Sequence, residues 1–446
     1  MKIRAIAART LAPVIARKES LNTALPKGLT KVTDQERALL QQFCYGVMRY
    51  YPRLNLLAKQ LLKKPFKDYD RDLEALVLIG LYQLLEMRIP QHAALSETVE
   101  AATDLNKEWA KGLLNAVLRR VQREQDSLYE QLDSNPVFRY NHPQWLIDKL
   151  SHNWPDHWQQ ILEQNNQHPP MTLRVNRHRI SREEYLQELE EEGIDASATA
   201  FSASAIQLTS PCDVGRLPGF DDGLASVQDE AAQLSAYLLD LKPGQRVLDA
   251  CAAPGGKLCH ILEHQPDLDH VTAIELEDNR ALRIDENLDR LQLDAEVIIA
   301  DAASADWWDG QAYDRILVDA PCSASGVIRR NPDIKHMRQS EDLKVLADIQ
   351  LNILQNCWQM LTPGGTLVYA TCSVFPQENE RVVARFLKLQ HNASHQPISA
   401  DWGIERPLGR QLFPQAEGHD GFYYAILTKS TVPTNDQKQT ENQDQK

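Results

Sequence analysis

Seven cysteines are scattered through 446 residues, odd in number and without a single C-x-x-C pair. That spacing argues against a disulfide framework and against the common zinc sites, so no metal is expected. Thiols in a chain of this length point instead to a reducing cytoplasm. No apolar run approaches the roughly 20 residues that span a bilayer, so no membrane association is expected. The start, Met1-Lys-Ile-Arg-Ala-Ile-Ala-Ala-Arg-Thr10, lacks the continuous apolar core and small-residue cleavage site of a secretory signal and reads as an amphipathic first helix. Two phosphate-cradling patterns are missing as well. The one Gly-rich strand-to-helix turn is neither G-x-G-x-x-G nor a Gly-Lys-Ser/Thr loop, which argues against a dinucleotide or a nucleoside triphosphate.

What is present is a soluble, globular composition, 43% hydrophobic and 25% charged, in a chain long enough for two or three domains. The formal net charge of −14 conceals an asymmetry. Residues 1–140 hold 22 Lys/Arg against 16 Asp/Glu, a net of +6, and the remainder carries a net of −20. A basic front on an acidic body suits a chain whose N-terminal part touches phosphates.

Along residues 1–135 apolar positions recur at three- and four-residue spacing, as in Leu73-x-x-Leu76-Val77-x-Ile79, and predict an all-helical domain of five to seven helices. Thr33 or Asp34 is expected to cap one helix and Ser96 another. The pattern breaks at Asn135-Pro136 and Asn141-His-Pro143. Residues 140–218 then read as a small α/β connector, with a helix over 145–162, a strand at Met171–Val175 and a helix over 181–192. From 219 to 429 short apolar strands (246–250, 271–274, 297–300, 315–319, 366–370) alternate with helices, which predicts a doubly wound, mostly parallel sheet; Phe422–Leu427 is expected as an inserted antiparallel strand. The polar, aromatic-free residues 430–446 are expected to be disordered.

In such a sheet the ligand lies across the carboxyl ends of the strands. Asp249, Glu275 and Asp301 fall at three of those ends in order. A carboxylate after the second strand is placed to accept both hydroxyls of a ribose, and one after the third to reach an adenine amino group. Pro254-Gly255-Gly256 lets the backbone approach a ligand without an intervening Cβ. With no pyrophosphate cradle, S-adenosylmethionine fits this turn better than a dinucleotide. Taken singly, these are the turn glycines and helix-capping acids of any α/β fold; three acids in register make that the lesser reading.

Two cysteines also follow strand ends: Cys322 in Asp319-Ala-Pro-Cys322-Ser323, and Cys372 in Tyr369-Ala-Thr-Cys372-Ser373. A buried cysteine is ordinarily a small hydrophobe, and Cys44, Cys259 and Cys357 sit on helical apolar patterns and read that way. Cys251 belongs to the cofactor turn and reads as packing; Cys212 follows Pro211 in a loop. Thiols beside a methyl donor have a specific use. C5 of cytosine is a poor nucleophile until a thiolate adds to C6, and a thiolate is also a competent leaving group. A cytosine held in a stem must leave its stack to be reached. Position alone leaves open which cysteine attacks.

The motifs DACAAPGGK (249–257), DAPCSASG (319–326), RRNPD (329–333) and YATCS (369–373) together resemble those of the RNA 5-methylcytosine methyltransferases, in particular the bacterial 16S ribosomal RNA enzymes of the RsmB (Sun/Fmu) type. Residues 1–125 resemble the RNA-binding fold of the antitermination factor NusB. The resemblance covers nearly the whole chain except the tail. It implies a Rossmann-like, S-adenosylmethionine-dependent α/β sheet preceded by a NusB-like helical domain and the connector. It implies that Cys372 is the nucleophile and that Cys322 assists breakdown of the covalent intermediate. It further implies cofactor contacts from Cys251, Ala252, Ala253, Pro254, Gly255, Gly256 and Lys257, with Glu275, Asp301 and Asp319; Asp319 could instead meet the cytosine edge. Arg329–Asp333 reads as a basic loop near the site, either contacting RNA or simply solvated, and Gln228-Asp229-Glu230 as bordering the methionine end of the cofactor. The expected partner is 16S rRNA and the expected state a monomer. The alternatives are a tRNA cytosine-5 methyltransferase, a non-catalytic RNA-binding assembly factor, and a methyltransferase of proteins or small molecules, which would need neither strand-end cysteine.

Overall fold

The computed structural model describes residues 2–431; the expected disordered tail lies outside them except for its first two residues. The chain divides into two compact units. The first comprises Met1–His168 together with Ile328–Ser340, and the second comprises Pro169–Val327 with Glu341–Lys446.

The first unit is helical. Six α-helices, Ile3–Ile15, Leu21–Leu29, Asp34–Leu61, Arg71–Glu86, Gln91–Asp104 and Lys111–Leu132, lie between Ile3 and Leu132. Arg71–Glu86 is its centre: ten consecutive-face residues from Leu73 to Gln83 are buried, as expected for a helix surrounded by others. The polar member, Gln83, is satisfied by Arg4 Nε (2.8 Å), Thr98 Oγ1 (2.9 Å) and the Ile79 carbonyl (3.1 Å). Thr33 forms the capping box with Glu36. Ser96 does not cap; its helix starts at Gln91, because Pro90 cannot continue a helix from behind it. The single helix expected over 145–162 is two, Gln144–Asn153 and Trp158–Asn166, interrupted at Trp154-Pro155.

The compact unit runs on to His168, and buried polar contacts tie residues 141–168 to the helices before them. Asn141 donates to the Arg49 carbonyl (2.9 Å) and Asn166 Oδ1 (3.1 Å), and Arg49 donates to the Gln167 carbonyl (2.7 Å). The segment 328–340, remote in sequence, belongs here too. Asp333 caps the Leu21 N–H (2.9 Å), and Lys335 donates to the carbonyls of Arg49 (2.9 Å) and Asn141 (3.1 Å) and to Asn166 Oδ1. Arg329 is fully buried, with its carbonyl accepting from Arg49 (3.0 Å). The RRNPD stretch is therefore neither a solvated loop nor an exposed phosphate contact at Arg329; it is an inserted strap. Burial pulls the Lys335 ammonium well below its ordinary range, and the nearby Arg49 and Arg53 lower it further.

The second unit holds two sheets. Strands β1 (Thr172–Val175), β2 (Ala196–Ala198), β3 (Ala205–Leu208) and β4 (Ala225–Val227) form an antiparallel sheet in the order β2-β3-β1-β4, backed by the helix Arg182–Glu191. Strands β5 (Arg246–Ala250), β6 (His270–Glu275), β7 (Glu296–Ile299), β8 (Tyr313–Asp319), β9 (Leu361–Thr371), β10 (Ala393–Gln396), β11 (Ile404–Glu405), β12 (Arg410–Leu412) and β13 (Phe422–Lys429) form the nine-stranded sheet. Its order is β11-β12-β13-β9-β8-β5-β6-β7, with β10 beside β13. The run β9-β8-β5-β6-β7 is parallel, and β13 enters antiparallel to β9. Alternate residues enter two different cores: Val247, Leu317 and Val368 one, Leu248, Val318 and Tyr369 the other. Both faces are thus covered, which explains the unbroken apolar strands. The chain runs outward from β5 to β7 and returns on the other side with β8, so the crevice opens between β5 and β8 at their carboxyl ends.

Candidate active site

Register brings the predicted residues together. Asp319 at the end of β8 lies opposite Ala370 of β9. Cys322 three residues beyond and Cys372 just after β9 therefore meet, with sulfurs 3.5 Å apart. Cys322 is buried and Cys372 partly open. The contact with Cys372, together with burial, pushes the Cys322 thiol well above its ordinary range. Gly326, after the Cys322 loop, donates its N–H to the Cys372 carbonyl (2.9 Å) and accepts from Gly421 (2.9 Å), binding the two loops to the start of β13.

The cofactor turn follows β5. Ala252 N–H donates to the Ile274 carbonyl (2.9 Å), Ala253 N–H to Glu275 Oε2 (3.3 Å) and Gly255 N–H to the Ala252 carbonyl (2.8 Å), and the helix Gly256–His264 begins immediately. Cys251 at φ +67° holds a left-handed conformation that side chains resist. Glu275 is buried and its other oxygen accepts from Glu277 N–H (3.1 Å) and Arg280 (3.3 Å). Asp301, exposed two residues past β7, accepts from Ala303 N–H (2.8 Å). Lys257 Nζ meets Asp319 Oδ2 at 2.6 Å. Burial pulls the Lys257 ammonium down, but Asp319 outweighs it and leaves the group above its ordinary value.

Asp249 lies beneath this turn, fully buried, and neither carboxylate oxygen has a hydrogen-bond partner. Burial, reinforced by Asp319, holds its carboxyl well above the usual range. An orphaned buried acid below this turn, flanked by Glu275 and Asp301, fits a polar nucleoside cofactor bearing a cationic amino acid end.

Gly255 at φ +96° is the point of closest approach: a Cβ there would stand 3.2 Å from Ile284 Cα. Gly255→Ala is expected to strain the turn by about 1–2 kcal/mol and to weaken S-adenosylmethionine binding roughly tenfold, as read by calorimetry.

Gln228, Asp229 and Glu230 each have protein partners. Gln228 accepts from Arg174 (2.6 Å), Asp229 caps the helix Glu230–Leu238 and accepts from Asp420 N–H (3.0 Å), and Glu230 accepts from the Phe201 (2.6 Å) and Ser202 (3.1 Å) N–H groups. Sequence reasoning missed Glu378 and the hydroxyls around it, because Pro376-Gln-Glu-Asn-Glu380 reads only as the acidic start of the helix Glu380–Leu389. It also missed Leu276, which is 65% exposed beside Glu275. Among the described residues no cluster of three or more His, Cys, Asp or Glu could hold a metal ion, and no helix is long and apolar enough to cross a membrane.

A doubly wound sheet with this acid-lined turn at its switch point defines a methyltransferase of the S-adenosylmethionine-dependent class. Comparison narrows the class. A family model described as 16S rRNA methyltransferase RsmB/F matches residues 236–428, a ferredoxin-like domain model of RsmF/B-like methyltransferases matches 142–215, and the NusB family model matches 1–123. The ribosomal RNA small subunit methyltransferase B of Pseudomonas putida is 55% identical, covering 96% of this chain and 99% of that protein. The protein of the same name from Vibrio cholerae is 48% identical, covering 96% and 98%. Among solved structures, PH0851 superposes with a TM-score of 0.82 at 22% identity over 96% of this chain and 99% of that one. A methyltransferase homolog protein from Pyrococcus horikoshii gives 0.58 at 27% identity over 66% and 97%. The chain belongs to the RsmB/F family of 16S rRNA methyltransferases.

Proposed function

We propose that this protein methylates C5 of a cytosine in 16S rRNA, with Cys372 as the nucleophile and Cys322 as the residue that frees the product. The observation that carries the reading is the pair of sulfurs 3.5 Å apart at adjacent strand ends, one buried and one open. The open Cys372 adds to C6, and the electron density so gained at C5 makes that carbon nucleophilic. S-adenosylmethionine supplies the electrophilic methyl group. Once C5 is methylated its proton passes to solvent water, the C–H electron pair re-forms the C5–C6 double bond and Cys372 is expelled. Cys322, holding its proton beside Cys372, protonates the departing thiolate. Lys257 and Asp319, paired 2.6 Å apart at the same edge, flank the ring or the methionine end of the cofactor. Cys251–Lys257, Glu275 and Asp301 hold the cofactor, and Leu276 offers an apolar surface to its purine. A polypeptide acting alone, with its own NusB-like unit for RNA, matches a cytoplasmic monomer.

Cys322→Ala mixed with 16S rRNA and S-adenosylmethionine is expected to accumulate a protein–RNA band on a denaturing gel. Cys322→Ala/Cys372→Ala should give none. A band from the double variant would place the adduct on neither thiol and overturn the reading, and its absence from both would turn attention to tRNA as substrate.

A further inference from the structure

The two cysteines are held from behind by one buried carboxylate. Glu378, fully buried, accepts from the Ser323 hydroxyl and the Ser373 hydroxyl, each at 2.6 Å from the same oxygen. Its other oxygen accepts from the Ser323 N–H (2.7 Å) and from Gln350 (3.3 Å), which also donates to the Pro321 carbonyl (2.9 Å). Residues on both sides of Cys322 are therefore tied to Glu378. The next residue does the same for Cys372: Asn379 accepts from the Thr371 hydroxyl (2.6 Å) and donates to the Ser373 carbonyl (2.9 Å). Ser325 completes the hydroxyl cluster, 3.1 Å from both Ser323 and Ser373, and accepts from the Val374 N–H (3.0 Å). Ala324, between two of these serines, is held at φ +59°. Such an arrangement persists only where surrounding bonds determine it.

We propose that Glu378 is a positioning residue that sets the spacing and orientation of the Cys322 and Cys372 thiols. The inference rests on the covalent cytosine-C5 reading of this site. A carboxylate accepts on both oxygens, whereas an amide keeps one acceptor and must turn its NH2 either on the Ser323 N–H and Gln350 amide, which only donate there, or on the two serine hydroxyls, which must then turn to accept. Its negative charge also opposes ionisation of the Cys322 thiol.

The test is Glu378→Gln in the full chain, with Ser373→Ala as a milder variant that removes one strut and leaves the carboxylate in place. Methyl transfer to 16S rRNA should fall roughly 10- to 100-fold in kcat for Glu378→Gln, with KM for RNA and for S-adenosylmethionine within about twofold of wild type. Thiol spacing is read without RNA. Diamide takes two electrons and two protons from the adjacent thiols, becoming its hydrazine form while Cys322 and Cys372 close a disulfide. That closure should slow at least about tenfold in Glu378→Gln and less in Ser373→Ala. Wild-type rates of both methylation and disulfide closure in Glu378→Gln would overturn the inference. Loss of S-adenosylmethionine binding in both variants would overturn it too, by showing a general structural role. Failure of the underlying reading is separate: it would appear as no RNA adduct from Cys322→Ala with Glu378 intact.

Discussion

Cys372→Ser is expected to bind S-adenosylmethionine with wild-type affinity and to methylate 16S rRNA at least about 10³-fold more slowly. The change exchanges one atom just past β9, leaving the residues of the Gly-rich turn and Glu275 unaltered. A serine hydroxyl stays protonated at neutral pH, so nothing of comparable nucleophilicity reaches C6, and C5 remains the poor nucleophile it is in free cytosine. Calorimetry with the cofactor, alongside transfer of labelled methyl to rRNA, separates the two effects. Turnover within tenfold of wild type would remove Cys372 from the chemistry.

Arg174→Met should lower the stability of the second unit by about 3–5 kcal/mol, because it leaves a buried charge without its partner. Arg174 on β1 is 1% exposed and forms a two-pronged bridge to Glu263, 2.8 Å at each nitrogen. It also donates to Gln228 Oε1 and to the Gly256 carbonyl, both at 2.6 Å. The last contact joins the small antiparallel sheet to the first residue of the helix that ends the cofactor turn, so cofactor affinity should fall with stability. Adding Glu263→Leu should restore much of the lost stability, since replacing both members of a buried pair with apolar side chains is often near neutral. The Gly256 contact would stay broken, so affinity should not recover. Urea unfolding of the single and double variants, followed by cofactor titration, checks both statements. A single variant within 1 kcal/mol of wild type would contradict the argument.

Much of this was legible in the chain. The parallel strands announced themselves because both faces are buried, leaving Val247-Leu248 or Leu367-Val368 without a polar interruption. Cys322, Cys372, Glu275 and Asp301 could be placed because each follows a strand end in sequence, and the ends of parallel strands share one edge. What escaped was set by tertiary partners. Ser96 resembles a cap, yet the helix start is dictated by Pro90. RRNPD resembles a surface loop by composition, and only tertiary contacts, Arg49 on the Arg329 carbonyl and Asp333 on the Leu21 N–H, reveal it as buried. Glu378 is indistinguishable in sequence from its neighbour Glu380, and one of the two hydroxyls that define it, Ser323, comes from 55 residues earlier.

The strap at 328–340 also sets a schedule. The first unit is completed by residues that leave the ribosome only after the whole of 169–327 has been made. At about 5–20 residues per second, that leaves the helices for roughly 10 to 30 s with the Leu21 N–H uncapped and the Arg49 and Asn141 carbonyls awaiting Lys335. The helical part is therefore not a portable module that can be cut away at His168 and expected to stand as it does in the whole protein. Its maturation waits on the catalytic sheet's own synthesis, so a nascent chain cannot present a finished helical unit before the Cys322 loop exists.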